Sequence, residues 1–345
     1  MMMKLNSEVS GEPKNPVDRK SHTPKPGIRS RYFQHISLLI LAPVFLVMFG
    51  LPVSPVFAVR IVDIDFLFKI SGNFKEPSDV AVSKNGHVHV VDGVNNKIKT
   101  FDTNGKAVSS FGENGDGDGQ FKYPLGIDVD NSGNIYIADT GNSRVQIFDP
   151  DSVFKAKIKL PENNGKPADP TDVAVDATRN RLYVVDNDNH RFLIYDLSTL
   201  KLIKAVGEPG EQELMFRYPF FIALNKEKYL YIVDVINTRV QVVNPEGLFV
   251  TYVGGWGVEK GQFFRPKGVA VDTHNRIYVS DSYMGVIQVF DTWGEFYGVL
   301  GNAGKKTIHK FRTPVGMYID DHNRLFVVEM LAQQVSVYRI KTEGK

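Results

Sequence analysis

The chain has 345 residues, 42% hydrophobic and 23% charged, with a formal net charge of +2 and no cysteine. The absence of thiols excludes disulfides, thioether-linked haem and thiolate metal sites. Charge is uneven: residues 1–34 carry seven Lys or Arg against three Asp or Glu, and without residues 1–58 the balance is 34 against 36. A remainder near −2 does not offer the basic face that nucleic acid requires.

In chain order, residues 1–35 are polar, basic and without apolar periodicity, which predicts a disordered cytoplasmic segment. From Ile36 to Val59 no residue is charged. The stretch 36–58 is expected to be one hydrophobic helix, with two readings open. The apolar heart, 36–50, has about the length of a signal-peptide core, and Val56-Phe57-Ala58 suits cleavage. The whole run could instead be retained as a transmembrane anchor, and the long segment before it argues that way. Either reading exports everything after Arg60, to the periplasmic side or the cell surface, anchored or released.

Residues 59–345 are written in repeats. Prolines at 77, 124, 170, 219, 266 and 314 each open an apolar, strand-like run. A phenylalanine stands three places earlier in five of them (Phe74, Phe121, Phe216, Phe263, Phe311), with Pro167 in the third. An acid ends the second strand each time: Asp92, Asp139, Asp186, Asp234, Asp281 and Glu329. A period in the forties with turn formers between short strands predicts an all-β propeller of six four-stranded antiparallel blades. The sixth repeat lacks its fourth strand, and residues 66–72 are expected to supply it and close the ring.

The pattern F-x-x-P-x-G-[IV], G-x-[IL]-Y-[IV]-x-D and N-x-R-[IV]-Q-x-F-D resembles the NHL-repeat propellers over residues 66–340. The resemblance implies one of three roles: an extracytoplasmic sensor or scaffold, an RNA-binding platform, or a metal-dependent lyase. The fold does not choose among them.

The repeated acids, followed three residues on by Asn (Asn95, Asn142, Asn189, Asn237) and five on by a base (Lys97, Arg144, Arg191, Arg239), are expected to hold turns rather than to line a channel. Tyr136, Tyr183, Tyr231, Tyr278 and Phe326 share one register and are read as packing between blades. The loop 114–119, NGDGDG, has the start of a calcium loop, but its twelfth position is Leu125, where a Glu is needed. Six histidines follow residue 59: His274 and His322 on loops at one end of the blades, His190 and His309 at the other, and His87 and His89 at the start of a strand, so no three converge as a catalytic zinc site requires. No nucleophile motif is present. No metal, cofactor or catalytic residue is expected, and the residues point away from an enzyme.

Departures from the repeat are more informative, because the scaffold does not demand them. Phe220, Phe221, Trp256, Tyr283, Met284, Met330 and Leu331 put bulk into loops of repeats four to six that elsewhere carry mainly small or polar residues. They either form a binding face or plug the central channel. The favoured function is a non-enzymatic, exported scaffold or sensor that binds another cell-envelope protein. A metal-dependent lyase or hydrolase, or an RNA-binding platform, would be the alternatives.

Overall fold

The structure, a computed structural model, describes residues 59–341. Strand β1 (Ile61–Ile70) precedes a meander of β2 (Pro77–Val82), β3 (Val88–Asp92) and β4 (Lys97–Phe101), with β5 (Ala107–Phe111) outside it. The second blade is β6 (Ile127–Val129), β7 (Ile135–Asp139), β8 (Arg144–Phe148) and β9 (Phe154–Lys159). The third is β10 (Pro170–Asp176), β11 (Arg181–Asp186), β12 (Arg191–Asp196) and β13 (Leu202–Val206). Two short strands follow, β14 (Glu208–Pro209) and β15 (Met215–Phe216). The fourth blade is β16 (Pro219–Leu224), β17 (Leu230–Asp234), β18 (Arg239–Val243) and β19 (Phe249–Val253). Next come β20 (Pro266–Val271), β21 (Ile277–Asp281), β22 (Val286–Phe290) and β23 (Phe296–Asn302). The last are β24 (Thr307–Ile308), β25 (Pro314–Ile319), β26 (Arg324–Glu329) and β27 (Gln334–Ile340).

Two expectations are corrected. Hydrogen bonding does not divide the domain into six separate four-stranded blades. Four stand alone as four-stranded sheets, while the strands from β20 onward and β1 form one nine-stranded sheet. The link is β1, which is longer than the expected 66–72. Its start runs parallel to β23, with Ile61 opposite Val299, and the rest pairs antiparallel with β27, with Ile70 opposite Val335. A free outer strand edge beside β1 is thereby paired rather than left open. The second correction concerns helix: the described residues contain only two three-residue 3₁₀ turns, and no helix among them is long and apolar enough to cross a membrane. The helix expected over 36–58 lies outside the described residues.

The first strands of the meanders adjoin in chain order, and β25 returns to β2. Inner strands such as β3, β7, β17 and β21 are buried along their whole length, because blades cover both of their faces. The outer strand β5 is exposed along most of its length. At the turns from second to third strand the backbone goes left-handed, as at Ser143 (φ 52°) and Gln333 (φ 53°). One consequence is that the acid before each turn points back into the blade.

Candidate functional site

The acids at the ends of the second strands hold the blades from within. In the second blade Asp139 is fully buried and accepts the Lys122 N–H at 2.8 Å, Asn142 Nδ2 at 2.9 Å and Arg144 Nε at 2.6 Å. The same set recurs around Asp186 and Asp234. The guanidinium of Arg144 then donates to the carbonyls of Asp116, Gly117 and Gln120, so the NGDGDG loop is wound on an arginine. In the first blade the expected partner Lys97 is exposed, and Lys99 takes its place, 2.6 Å from Asp92. The signal was available in the register seven residues after the acid, where Gln146, Gln241 and Ser336 also bond their acids. Asp281 instead caps the N–H groups of Tyr283 and Met284.

A cavity of about 230 Å³ opens on the axis, lined by Asp79, Asp128, Asp172, Phe221, Lys228 and Tyr318 among others. Of the second residues after each proline, Asp79, Asp172 and Phe221 line it, and the other three repeats have Gly126, Gly268 and Gly316 at that position. Gly126 and Gly316 have no room for a side chain, since a Cβ would lie 2.5 Å from the Asp172 Cα and 2.7 Å from the Asp79 Cα. The inner edge of a first strand has no neighbouring strand, so its N–H groups need other acceptors. Asp79 takes the Ile127 N–H at 3.0 Å, Asp128 that of Val175 at 2.7 Å and Asp172 that of Ile222 at 2.8 Å. Each carboxylate thus stitches its blade to the next one. None of the three was singled out from the sequence, although Asp128 departs from a register that reads Ala81, Ala174, Ala223 and Ala270 in four other repeats and Tyr318 in the sixth.

Burial raises Asp79 and Asp172 well above the ordinary carboxylate range, and their mutual repulsion adds to it in Asp172. Asp128 is pushed up to about 6, chiefly by burial. The folded state therefore holds protons that an unfolded chain releases near 3.8. Stability should fall as pH rises from about 4 to about 6, by on the order of 3 kcal/mol for Asp128 alone, and the loss of the Asp79 and Asp172 protons should carry the fall further. Melting temperature against pH measures this. Asp128→Asn should flatten part of the slope, and a profile that rises over this window in the parent would contradict the assignment.

The cavity does not assemble a metal site. Among the described residues no group of three or more His, Cys, Asp or Glu is arranged to hold a metal ion. The histidines are scattered: His89 Nδ1 lies 3.0 Å from Thr100 Oγ1, His190 Nδ1 accepts the Tyr218 N–H, and His309 Nε2 lies 3.0 Å from the Tyr338 hydroxyl.

The seven bulky loop residues divide. Trp256, Tyr283 and Leu331 are 75%, 69% and 64% exposed. Met284 is half-buried, and its carbonyl accepts Lys310 Nζ. Met330 and Phe220 pack partly against the main core, and the Lys267 ammonium sits 3.6 Å over the Phe220 ring. Burial draws Lys267 down to about 8. Phe221 is 3% exposed and belongs to that core, so it is a plug of the channel and not a surface anchor.

Two further members were missed. Ile236, 52% exposed, occupies the position two residues after the acid, the same one as Tyr283 and Leu331. The other three repeats carry Val94, Gly141 and Asp188 there. Phe264 stands where Lys75, Lys122, Arg217 and Arg312 stand in other repeats, and its ring lies 4.4 Å from that of Tyr283. Ile236, Tyr283 and Leu331 thus mark one register of three successive blades, with Phe264 and Trp256 beside the middle one.

Comparison with known proteins agrees with this architecture. The NHL repeat family model matches residues 121–148, 168–195 and 263–290. Protein brain tumor of Drosophila melanogaster is 37% identical over 68 residues, which is 20% of this chain and 7% of that protein. Virginiamycin B lyase from Staphylococcus aureus superposes with a TM-score of 0.58 at 13% identity, covering 81% of this chain and 100% of the lyase. A structural genomics protein from Bacteroides thetaiotaomicron gives 0.59 at 17% identity, covering 82% and 73%. At such identities the likeness is one of fold.

Proposed function

We propose that this chain, which carries NHL repeats on a propeller, is a non-enzymatic scaffold that docks a protein through the face bearing Ile236, Tyr283 and Leu331. The observation that carries the reading is their shared register: three adjacent blades expose an apolar side chain at a position where the fold accepts Gly or Asp. The Phe264–Tyr283 ring pair, 4.4 Å apart, and the exposed Trp256 extend the patch. Aromatic and large aliphatic anchors of this kind dominate protein interfaces, and contiguous exposed apolar surface is otherwise avoided. The partner is taken to be a cell-envelope protein, because an uncharged run after a basic segment precedes the domain.

The test is the double variant Tyr283→Ser, Leu331→Ser, used as bait against solubilised envelope membranes. Both side chains are exposed, so the melting temperature should hold within a degree or so of the parent while a specific partner is lost. Each anchor is expected to contribute about 2 kcal/mol to binding. Capture that survives the double variant, or a loss matched by a fall in melting temperature, would overturn the reading.

A further inference from the structure

We propose that the rim of the propeller around Trp293 and Tyr297 rests on a zwitterionic lipid surface where the chain enters the domain. Trp293 has the highest exposure of any large apolar side chain among the described residues, at 81%. A tight turn between β22 and β23 presents it, closed by the Gly294 N–H on the Asp291 carbonyl at 3.1 Å. The fold does not ask for bulk there. The corresponding turns of the other repeats carry Asn104, Asp151, Ser198 and Glu246.

The course of the chain supplies the occupant. Because β1 runs parallel to β23, with Ile61 opposite Val299, Arg60 lies one step back along β23 on the side of the Trp293 turn. The Arg60 carbonyl accepts the Val299 N–H at 3.0 Å, and its guanidinium lies 3.9 Å over the Tyr297 ring. Arg276 approaches the same ring at 5.6 Å. The residue before Arg60 is Val59, the last of a 24-residue run, beginning at Ile36, without a charge. In sequence the uncharged run ends at Arg60, and Arg60, Tyr297 and the exposed Trp293 have the composition of a membrane–water boundary, where amphipathic rings sit at headgroup level and arginines reach phosphate.

Charge near the rim is balanced and does not call for anionic lipid. Asp63 and Asp65 are held by Lys341 at 3.0 and 2.9 Å, Arg276 by Asp272 at 3.0 Å, and Asp291 and Glu295 flank the turn. Trp256 lies in the connection between β19 and β20, at the opposite end of the blades from the turns joining third and fourth strands. The protein-docking face would then look away from the bilayer. This inference does not depend on that face having a partner.

The chain has two tryptophans, which makes the test direct. The full chain carrying Trp256→Phe is reconstituted into phosphatidylcholine vesicles, with and without bromine on the acyl chains. Trp293 emission should shift to the blue on reconstitution and lose most of its intensity with the brominated lipid. The reciprocal Trp293→Phe chain, reporting Trp256, should show neither change. Equal Trp293 emission in both lipids would overturn the proposal, and so would quenching of Trp256 instead, which would set the other face on the bilayer. Failure of the chain to float with the vesicles would overturn it as well.

Discussion

Removal of residues 59–73 from the chain should give a protein that is insoluble or melts far below the parent. These residues carry β1, whose two edges pair with β23 and β27. The deletion strips Val62, Ile64 and Ile70, all buried, from two of the core clusters and opens the edge of β27 to solvent. Loss of a buried aliphatic side chain costs about 2–5 kcal/mol each, and three of them approach the whole stability of a typical domain. A milder version is Ile70→Asp, which leaves the backbone pairing intact but sets a charge where the side chain is wholly buried. Thermal melting and sedimentation of both variants measure the effect. Unchanged melting after the deletion would show that the sheet does not depend on β1.

Arg144→Ala should be among the most damaging single truncations of a polar residue in the domain. The guanidinium meets Asp139 at 2.6 Å and three loop carbonyls at 2.6, 2.8 and 2.8 Å. Both side chains of the ion pair are buried. Without the arginine a carboxylate is left in the interior with only part of its compensation, at a cost of about 3–5 kcal/mol. Arg144→Lys should recover little, since an ammonium on a flexible stem cannot bond several acceptors in a fork. Lys157→Ala is the comparison: its pair with Asp118 is half in water at both ends, and its loss should cost about 1 kcal/mol or less. Urea denaturation of the three variants orders them. An Arg144→Ala chain as stable as Lys157→Ala would mean that the loop, not the ion pair, holds that corner of the blade.

The repeat was legible because it is local. A proline, a phenylalanine three places before it and an acid 15 or 16 places after it fall in fixed register, and short-range turn chemistry needs no knowledge of the rest of the chain. The structural reading of Asp139 with Asn142 and Arg144 came from that register, as did the pairing of residues 66–70 with the last strand. The same register contained Ile236, two residues after Asp234 as Leu331 is after Glu329.

What the tertiary structure decided is whatever depends on two blades at once. Whether Phe221 points to water or to the axis turns on the neighbouring first strands, and these bury it. Lys97 and Lys99 lie two apart in β4 and so share a face, and it is Lys99, which also reaches the Gly72 and Asn73 carbonyls beyond the end of β1, that meets Asp92. That Asp79, Asp128 and Asp172 bond the N–H groups of the following blades follows from partners 47 to 50 residues away in the chain, a distance that carries no local pattern. The parallel contact of β1 with β23, which joins the last two meanders into one sheet, brings together residues more than 200 positions apart, and only the closed ring makes them neighbours.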